Sequence, residues 1–253
     1  MNLRAGVGLA RSILIYGAPW RQPGLRRLYR PFIAPGDLVF DVGAHIGDRS
    51  QAFAGLGARV VALEPQAAPR RYLRWRLRRY PAVSIRAEAL GAAPGQASLA
   101  ISDRHPTLAT LAADWRARIK TSNPAFRQVD WGRAVTVPVT TLDALIAEVG
   151  LPAFCKIDVE GHEAAVLAGL SQPLPALSFE FVAGGEGVAM ACLKRLGELG
   201  DYHFNLACGE QRRLAFDQWR GAAAIGDWIR QNAHRVGSGD VYARHVAAQE
   251  GAE

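Results

Sequence analysis

The chain has no apolar run reaching the ~18 residues that a membrane-spanning helix needs, and its first 36 residues contain no acid. The first absence excludes a hydrophobic span. No long apolar region leading to a small-residue cleavage site opens the sequence, so no secretory leader is expected. Cysteine is scarce: Cys155, Cys192 and Cys208 are odd in number and widely spaced. That excludes a disulfide framework and a paired-cysteine metal site. Cys155 lies in an apolar run and reads as a small core residue, so a reducing, cytoplasmic setting is expected. Lysine is nearly missing too. Lys120, Lys156 and Lys194 are the only ones, and the net charge of +7 is carried by arginine. Internal repeats and low-complexity tracts are absent.

What remains is ordinary globular material, 49% hydrophobic and 21% charged, enough for one large α/β domain with a small appendage. The arginines form two clusters. Arg4, Arg11, Arg21, Arg26, Arg27 and Arg30 occupy the acid-free start; Arg70, Arg71, Arg74, Arg76, Arg78 and Arg79 follow later. A basic surface attracts nucleic acid, anionic lipid or phosphorylated substrates. A solvated helix face is the plainer reading and is preferred.

Three parts are expected. Residues 1–36 read as a basic N-terminal arm or cap, with a helix over Leu3–Tyr16 and prolines after it. A packing arm is favoured; contact with a membrane surface or a partner is the alternative. Residues 37–246 alternate strand and helix, which predicts a parallel sheet with helices on both faces. Strands are expected at Leu38–Val42, Arg59–Leu63, 83–89, 135–139, 153–158, Ala176–Val182, 203–207, 212–216 and 240–245. A strand at 97–102 reads as the hairpin partner of the one at 83–89. Helices are expected at 46–56, 69–80, 108–119, 141–149, 161–170, 187–199 and 222–234. In the second of these, Leu73, Leu77 and Tyr80 fall on one stripe. From 103 to 133 the pattern lapses, which marks a lid or an acceptor-binding insertion. Residues 247–253 are a tail.

Two constellations carry chemistry. The first is a glycine turn after the opening strand, Asp41-x-Gly43-x-x-x-Gly47, with Glu64-Pro65 closing the next strand. An acid at that second tip can accept hydrogen bonds from ribose hydroxyls. The turn lacks the third glycine of a dinucleotide site, and Asp41 would repel a pyrophosphate. An acid there suits the cationic amino group of an amino-acid tail, which points to S-adenosylmethionine. The second constellation is Lys156-Ile157-Asp158-Val159-Glu160-Gly161-His162-Glu163, at the carboxyl end of a buried strand, where ligands of open α/β sheets bind. So many ionisable groups are costly there unless something pairs with them. Asp158, Glu160 and His162 are metal-ligand types, but one local cluster does not make a metal site, and no metal is expected. Glu163 suits the first turn of a helix.

Both constellations, with Gly169, Phe179-Glu180 and the closing Gly239-Asp240-Val241-Tyr242-Ala243, resemble the FkbM family of S-adenosylmethionine-dependent methyltransferases. The resemblance implies a doubly wound, Rossmann-like α/β sheet of seven strands, the last antiparallel. It implies S-adenosylmethionine as methyl donor. By carry-over, Asp41, Gly43 and Gly47 line the methionine part, with Ala44 and His45 inside the same turn. Glu64, followed by Pro65, binds the ribose, and Glu88 stands near the adenine. Acceptors in the family are mostly hydroxyl oxygens of sugars, glycans or natural products.

Transfer to a hydroxyl calls for alignment and for a base. Asp158, Glu160 and His162 are the candidates, and His162 has the intrinsic pKa closest to neutrality. A small-molecule or glycan acceptor is the expected partner. The alternatives are methylation of RNA or protein, and a non-catalytic nucleoside-binding module. No RNA-binding module is visible, though Trp115 and Trp131 in the irregular segment are rings that can stack on a base or a sugar or join the core.

Overall fold

Leu38–Val42 is buried at all five positions, the condition of a strand covered on both faces. It lies inside the main sheet of a computed structural model that describes residues 3–248. The tail expected at 247–253 therefore falls, past residue 248, outside the described residues. The elements run α1 (Leu3–Tyr16), α2 (Arg21–Tyr29), β1 (Leu38–Val42), α3 (Asp48–Gly55), β2 (Arg59–Leu63), α4 (Ala67–Leu77), β3 (Val83–Arg86), β4 (Ala89–Leu90) and β5 (Gly95–Ile101). They continue α5 (Ala113–Ser122), β6 (Arg133–Thr140), α6 (Leu142–Val149), β7 (Phe154–Ile157), α7 (Glu163–Ala168), β8 (Ala176–Val182), α8 (Glu186–Leu199), β9 (Tyr202–Cys208), α9 (Ala222–Val236) and β10 (Ser238–His245).

The main sheet has seven strands in the order β3-β2-β1-β7-β8-β10-β9. All neighbours are parallel except β10, the last strand, which runs antiparallel to both β8 and β9. The order reverses between β1 and β7, and the site forms beyond the carboxyl ends there, as expected at a switch point. Alternate residues along each strand feed two cores. Phe40, Val42, Ile157 and Phe179 pack with α6, α7, α8 and α9; Val39, Val60, Ala62 and Phe154 pack with α2, α3 and α4.

Four expectations need correction. The strand expected at 83–89 stops at Arg86, and β4 leaves the main sheet. With β5 and β6 it forms a second sheet in the order β4-β6-β5. The hairpin partner of β5 is therefore β6, paired antiparallel from Gly95↔Val139 to Ile101↔Arg133. The reason is apolar: Leu99 and Ile101 share a small core with Ala89 and Val137, whereas β3 has no fully buried position. The helix expected at 108–119 begins later, because Pro106–Leu108 makes a 3-10 turn and Thr110 bridges to Ala100. Residues 212–216 form no strand. They cross β9 as a loop, held where Ala215 N–H donates to the Leu206 carbonyl and Phe216 exchanges hydrogen bonds with the Asn205 side chain.

Within residues 1–36, expected as an arm or cap, α2 packs against the sheet. Leu25, Leu28, Tyr29 and Ile33 are buried in the α2–α4 core. Tyr29 sets its ring edge-on to Phe53 and Phe154, and Phe32 stacks on Tyr242. Only α1 stands outside this packing. Among the described residues no helix is long and apolar enough to cross a membrane.

Candidate active site

The glycine turn leaves β1 at Asp41, and its shape is imposed by neighbours. Gly43 has φ +84, and a Cβ there would stand 1.9 Å from the Asp158 carbonyl oxygen. Gly47 has φ +79, and its Cβ would meet Leu73 of α4 at 2.2 Å. These glycines let strand ends and a helix close on one another, a role the turn pattern alone does not reveal. Between them His45 holds φ +47.

Glu64 follows β2 and is 3% exposed. Its carboxylate accepts from His45 N–H at 2.9 Å and from Gln66 N–H at 2.7 Å. Burial pushes its pKa up to about 7, against these hydrogen bonds. Each oxygen keeps acceptor capacity beyond its backbone donor. Glu64, Pro65, Glu88, Leu90, Leu99 and Leu111 line a narrow cavity of about 540 Å³. Glu88 is held by Arg86 at 2.7 Å, and this bond keeps its pKa below the ordinary range. Ala87 N–H occupies its other oxygen.

A wide cleft of about 1970 Å³ adjoins that cavity, and Gly43, His45, Thr107, Asp158 and Glu160 line both. Ala44 lines the cleft; Gly47 lines neither. The cleft's floor is charged. Asp41 is 2% exposed and accepts from Ser50 Oγ. Burial raises its pKa to about 6, opposed by Lys156 and the Ser50 bond. Lys156 is itself 2% exposed, bonded to Asp158 at 2.6 Å, with Asp240 at 4.0 Å. Burial disfavours its ammonium, yet Asp158 and Asp240 keep the pKa above its usual value. Burial pushes Asp158 up, but Lys156 more than offsets this and holds it below the carboxylate range.

Glu160 has φ +55 and its carbonyl accepts from Thr110 Oγ1 at 2.7 Å. Burial, then Asp158 and Glu163, push its pKa well up. Glu180 on β8 is pushed up by burial and then by Glu160 and Asp158. Its Oε2 is buried with no hydrogen-bond partner among the described residues. One oxygen each from Asp158, Glu160 and Glu180 fall within 4.8 Å of one another. The group that joins the two loop acids is thus Glu180. His162 lines only the narrow cavity, away from the wide cleft, and burial lowers its pKa.

Sequence reasoning also missed the cleft's second ion cluster. Asp48, in the first turn of α3, pairs with Arg49 at 2.8 Å and Arg21 at 3.2 Å, and Arg21 reaches Glu210 at 2.6 Å. The adjacent Asp48-Arg49 pair was the available signal. The irregular segment packs on the site's back. Trp115 is 4% exposed, edge-on to Phe126 and Trp131. It lies so close to Gly161 that a Cβ there would come within 2.4 Å of its ring. Trp131 donates its indole N–H to the Leu108 carbonyl at 2.6 Å. Both rings are engaged within the protein. From this segment Leu108, Ser122, Asn123 and Phe126 line the wide cleft.

His45 Nε2 is buried without a partner among the described residues, and burial lowers the imidazole's pKa to about 4. A neutral orphan nitrogen and a fixed carboxylate facing one cavity suit a hydroxyl-rich, uncharged ligand such as a nucleoside.

Comparison with known proteins gives low-identity structural likenesses. Precorrin-6y C5,15-methyltransferase from Geobacter metallireducens has 12% identity and a TM-score of 0.46, covering 88% of this chain and 87% of that one. A TehB-like SAM-dependent methyltransferase from Corynebacterium glutamicum has 9% identity and a TM-score of 0.43, over 88% and 87%. An rRNA methylase from Streptococcus thermophilus has 10% identity and a TM-score of 0.42, over 87% and 93%. No curated protein sequence matches the chain. The family described as the methyltransferase FkbM domain matches residues 41–183, a span that runs from Asp41 through Glu64, Asp158 and Glu160 to just past Glu180. The chain belongs to the FkbM methyltransferase family.

Proposed function

We propose that the protein is an S-adenosylmethionine-dependent O-methyltransferase acting on a hydroxyl of a sugar, glycan or natural-product acceptor. The observation that carries this reading is the junction of the two cavities. A narrow, largely apolar one with a fixed carboxylate opens at Asp158 and Glu160 into a wide, acid-lined cleft. The residues fit the cofactor. Glu64 would hold the ribose hydroxyls, His45 would offer its neutral nitrogen, and Leu90 and Leu99 would flank the base. Asp41 would draw the cationic amino group, as the acid at that strand end suggests.

S-adenosylmethionine, when bound, supplies a methyl group already activated on sulfonium. The protein's share is positioning and proton management. Lys156 compensates Asp158, which leaves Glu160 and Glu180 side by side with no ion pair of their own among the described residues. Such a pair does not readily carry two charges and holds one proton between its members. The ionised member accepts the proton of an acceptor hydroxyl in the wide cleft. His162, in the narrow cavity, is left to pack beside the nucleoside. The free thiols suit a reducing, cytoplasmic setting.

Calorimetry with S-adenosylmethionine tests the binding half. The parent binds, and Glu64→Ala weakens binding by about tenfold or more, the scale of a lost charge-assisted hydrogen bond. Release of S-adenosylhomocysteine with hydroxylated acceptors tests the chemistry. Methyl groups appearing only on nitrogen, or cofactor binding without turnover on any acceptor class, would sink the O-methyl assignment.

A further inference from the structure

The N-terminal helix turns its apolar side outward. Gly8 and Ser12 of α1 are buried, and a Cβ on Gly8 would stand 2.4 Å from the Asp103 carbonyl. On the other side Val7 is 64% exposed and Leu14 80%, and Ile15, near the end of the helix, is 45% exposed. Val7, Arg11 and Leu14 recur at helical spacing and form one stripe. Trp20, after the helix, is 77% exposed, and Trp75 on α4 is 57% exposed. These are five of the six large hydrophobic side chains exposed among the described residues. Four of the five fall within residues 7–20, a concentration of exposed apolar surface on one segment.

The two helices adjoin, since a Cβ on Gly17 would lie 3.4 Å from the Arg76 guanidinium. The two segments that meet here carry only positive charge. Residues 1–36 and 67–79 hold no acid, and Arg11, Arg71, Arg74, Arg78 and Arg79 are exposed. The Arg78 guanidinium covers the Trp75 ring at 4.9 Å. Exposed tryptophan and aliphatic side chains ringed by arginine match an interfacial surface, with apolar groups for the acyl boundary and cations for lipid phosphates.

We propose that α1, the Trp20 turn and the outer face of α4 dock on an anionic lipid bilayer. Val7, Leu14 and Trp75 enter the headgroup region, and the exposed arginines meet lipid phosphates. Tyr16, the last residue of α1, lines the wide cleft, so docking sets the cleft's rim beside the bilayer. The inference does not depend on the reaction assigned above.

Flotation of the full chain tests it, with vesicles of phosphatidylcholine alone and with vesicles also carrying phosphatidylglycerol. The parent should float with the anionic vesicles only, and salt should release it. Leu14→Asp, and separately Arg71→Glu with Arg74→Glu, should each lower vesicle binding by about tenfold, while circular dichroism melting and calorimetric cofactor binding stay unchanged. The proposal is overturned if the parent stays unbound to anionic vesicles, or if Leu14→Asp floats as the parent does. It is also overturned if light scattering shows a dimer that Leu14→Asp dissociates, since the stripe then faces a second copy. Binding of RNA that Arg71→Glu abolishes, with no vesicle binding, likewise assigns the surface elsewhere.

Discussion

At Gly43 a single missing methyl group holds two strand ends together. A Cβ there would overlap the Asp158 carbonyl at 1.9 Å, and the backbone sits at φ +84. Gly43→Ala therefore carries two penalties: about 1–2 kcal/mol for the left-handed conformation alone, and displacement of the loop that bears Asp158 and Glu160. Denaturation in urea should show a loss above that range, and calorimetry should show weakened cofactor binding in the same variant. A glycine was legible at this position from the turn pattern. Its reason was not, because Asp158 is far along the chain and only the parallel pairing of β1 with β7 brings it alongside. Glu180 was legible only as part of the family resemblance, for a similar cause. It lies on β8, beyond the local charged run, and joins Glu160 only through the fold.

At the scale of elements, α7 shows what one buried acid does. Glu163 opens this helix and accepts at one oxygen from Val159 N–H at 2.9 Å and Gly161 N–H at 3.2 Å, which shapes the loop carrying Glu160. Burial raises its pKa from 4.5 to about 7, against those bonds. The folded chain thus holds this proton more tightly than the unfolded chain across that window. The stability it contributes is complete below the window and lost as pH rises through it. A glutamine keeps both acceptor bonds and does not titrate. Glu163→Gln should therefore gain on the parent in melting temperature between about pH 5 and pH 8, and a constant difference across that range would refute the assignment. The 103–133 insertion offers a second test. Trp115, Ile119, Phe126 and Val129 form its own core against Val182, so it is packed onto the sheet. Trp115→Ala should cost about 3–5 kcal/mol, as loss of a buried large aromatic does, and expose this segment to limited proteolysis. The same insertion explains where element reading stopped. Strands of the main sheet announce themselves as buried runs, and most helices by their stripe. β5 is buried only over its last three residues, and only its partners Ala89 and Val137 reveal that it belongs to a second sheet.

Across the whole molecule, charge is arranged by depth. The surface is basic, and the sheet's carboxyl edge is acidic around one buried ammonium. Lys156 on β7 is in register with Asp41 on β1, and Asp240 on β10 is in register with Glu180 on β8. Four strands thereby bring Asp41, Asp158, Glu180 and Asp240 around a lysine that is 2% exposed. The order of strands, more than any local sequence, makes this arrangement, and it ties the site's electrostatics to the integrity of the sheet. Lys156→Met keeps much of the aliphatic volume and removes the cation. Partly exposed Asp158 and buried Asp240 then lose their nearest cation, a change that costs up to about 3–5 kcal/mol when one partner of a buried pair is deleted. The sign with pH follows from the same geometry. Without Lys156 the folded-state pKa values of Asp41, Asp158 and Asp240 rise, so the folded variant binds protons that the unfolded chain releases, and its deficit grows as pH rises. Chemical denaturation of parent and variant at acid and at mildly alkaline pH should show the larger difference at the higher pH. A deficit independent of pH would mean that Lys156 matters for packing alone and that the acids around it are compensated by other groups.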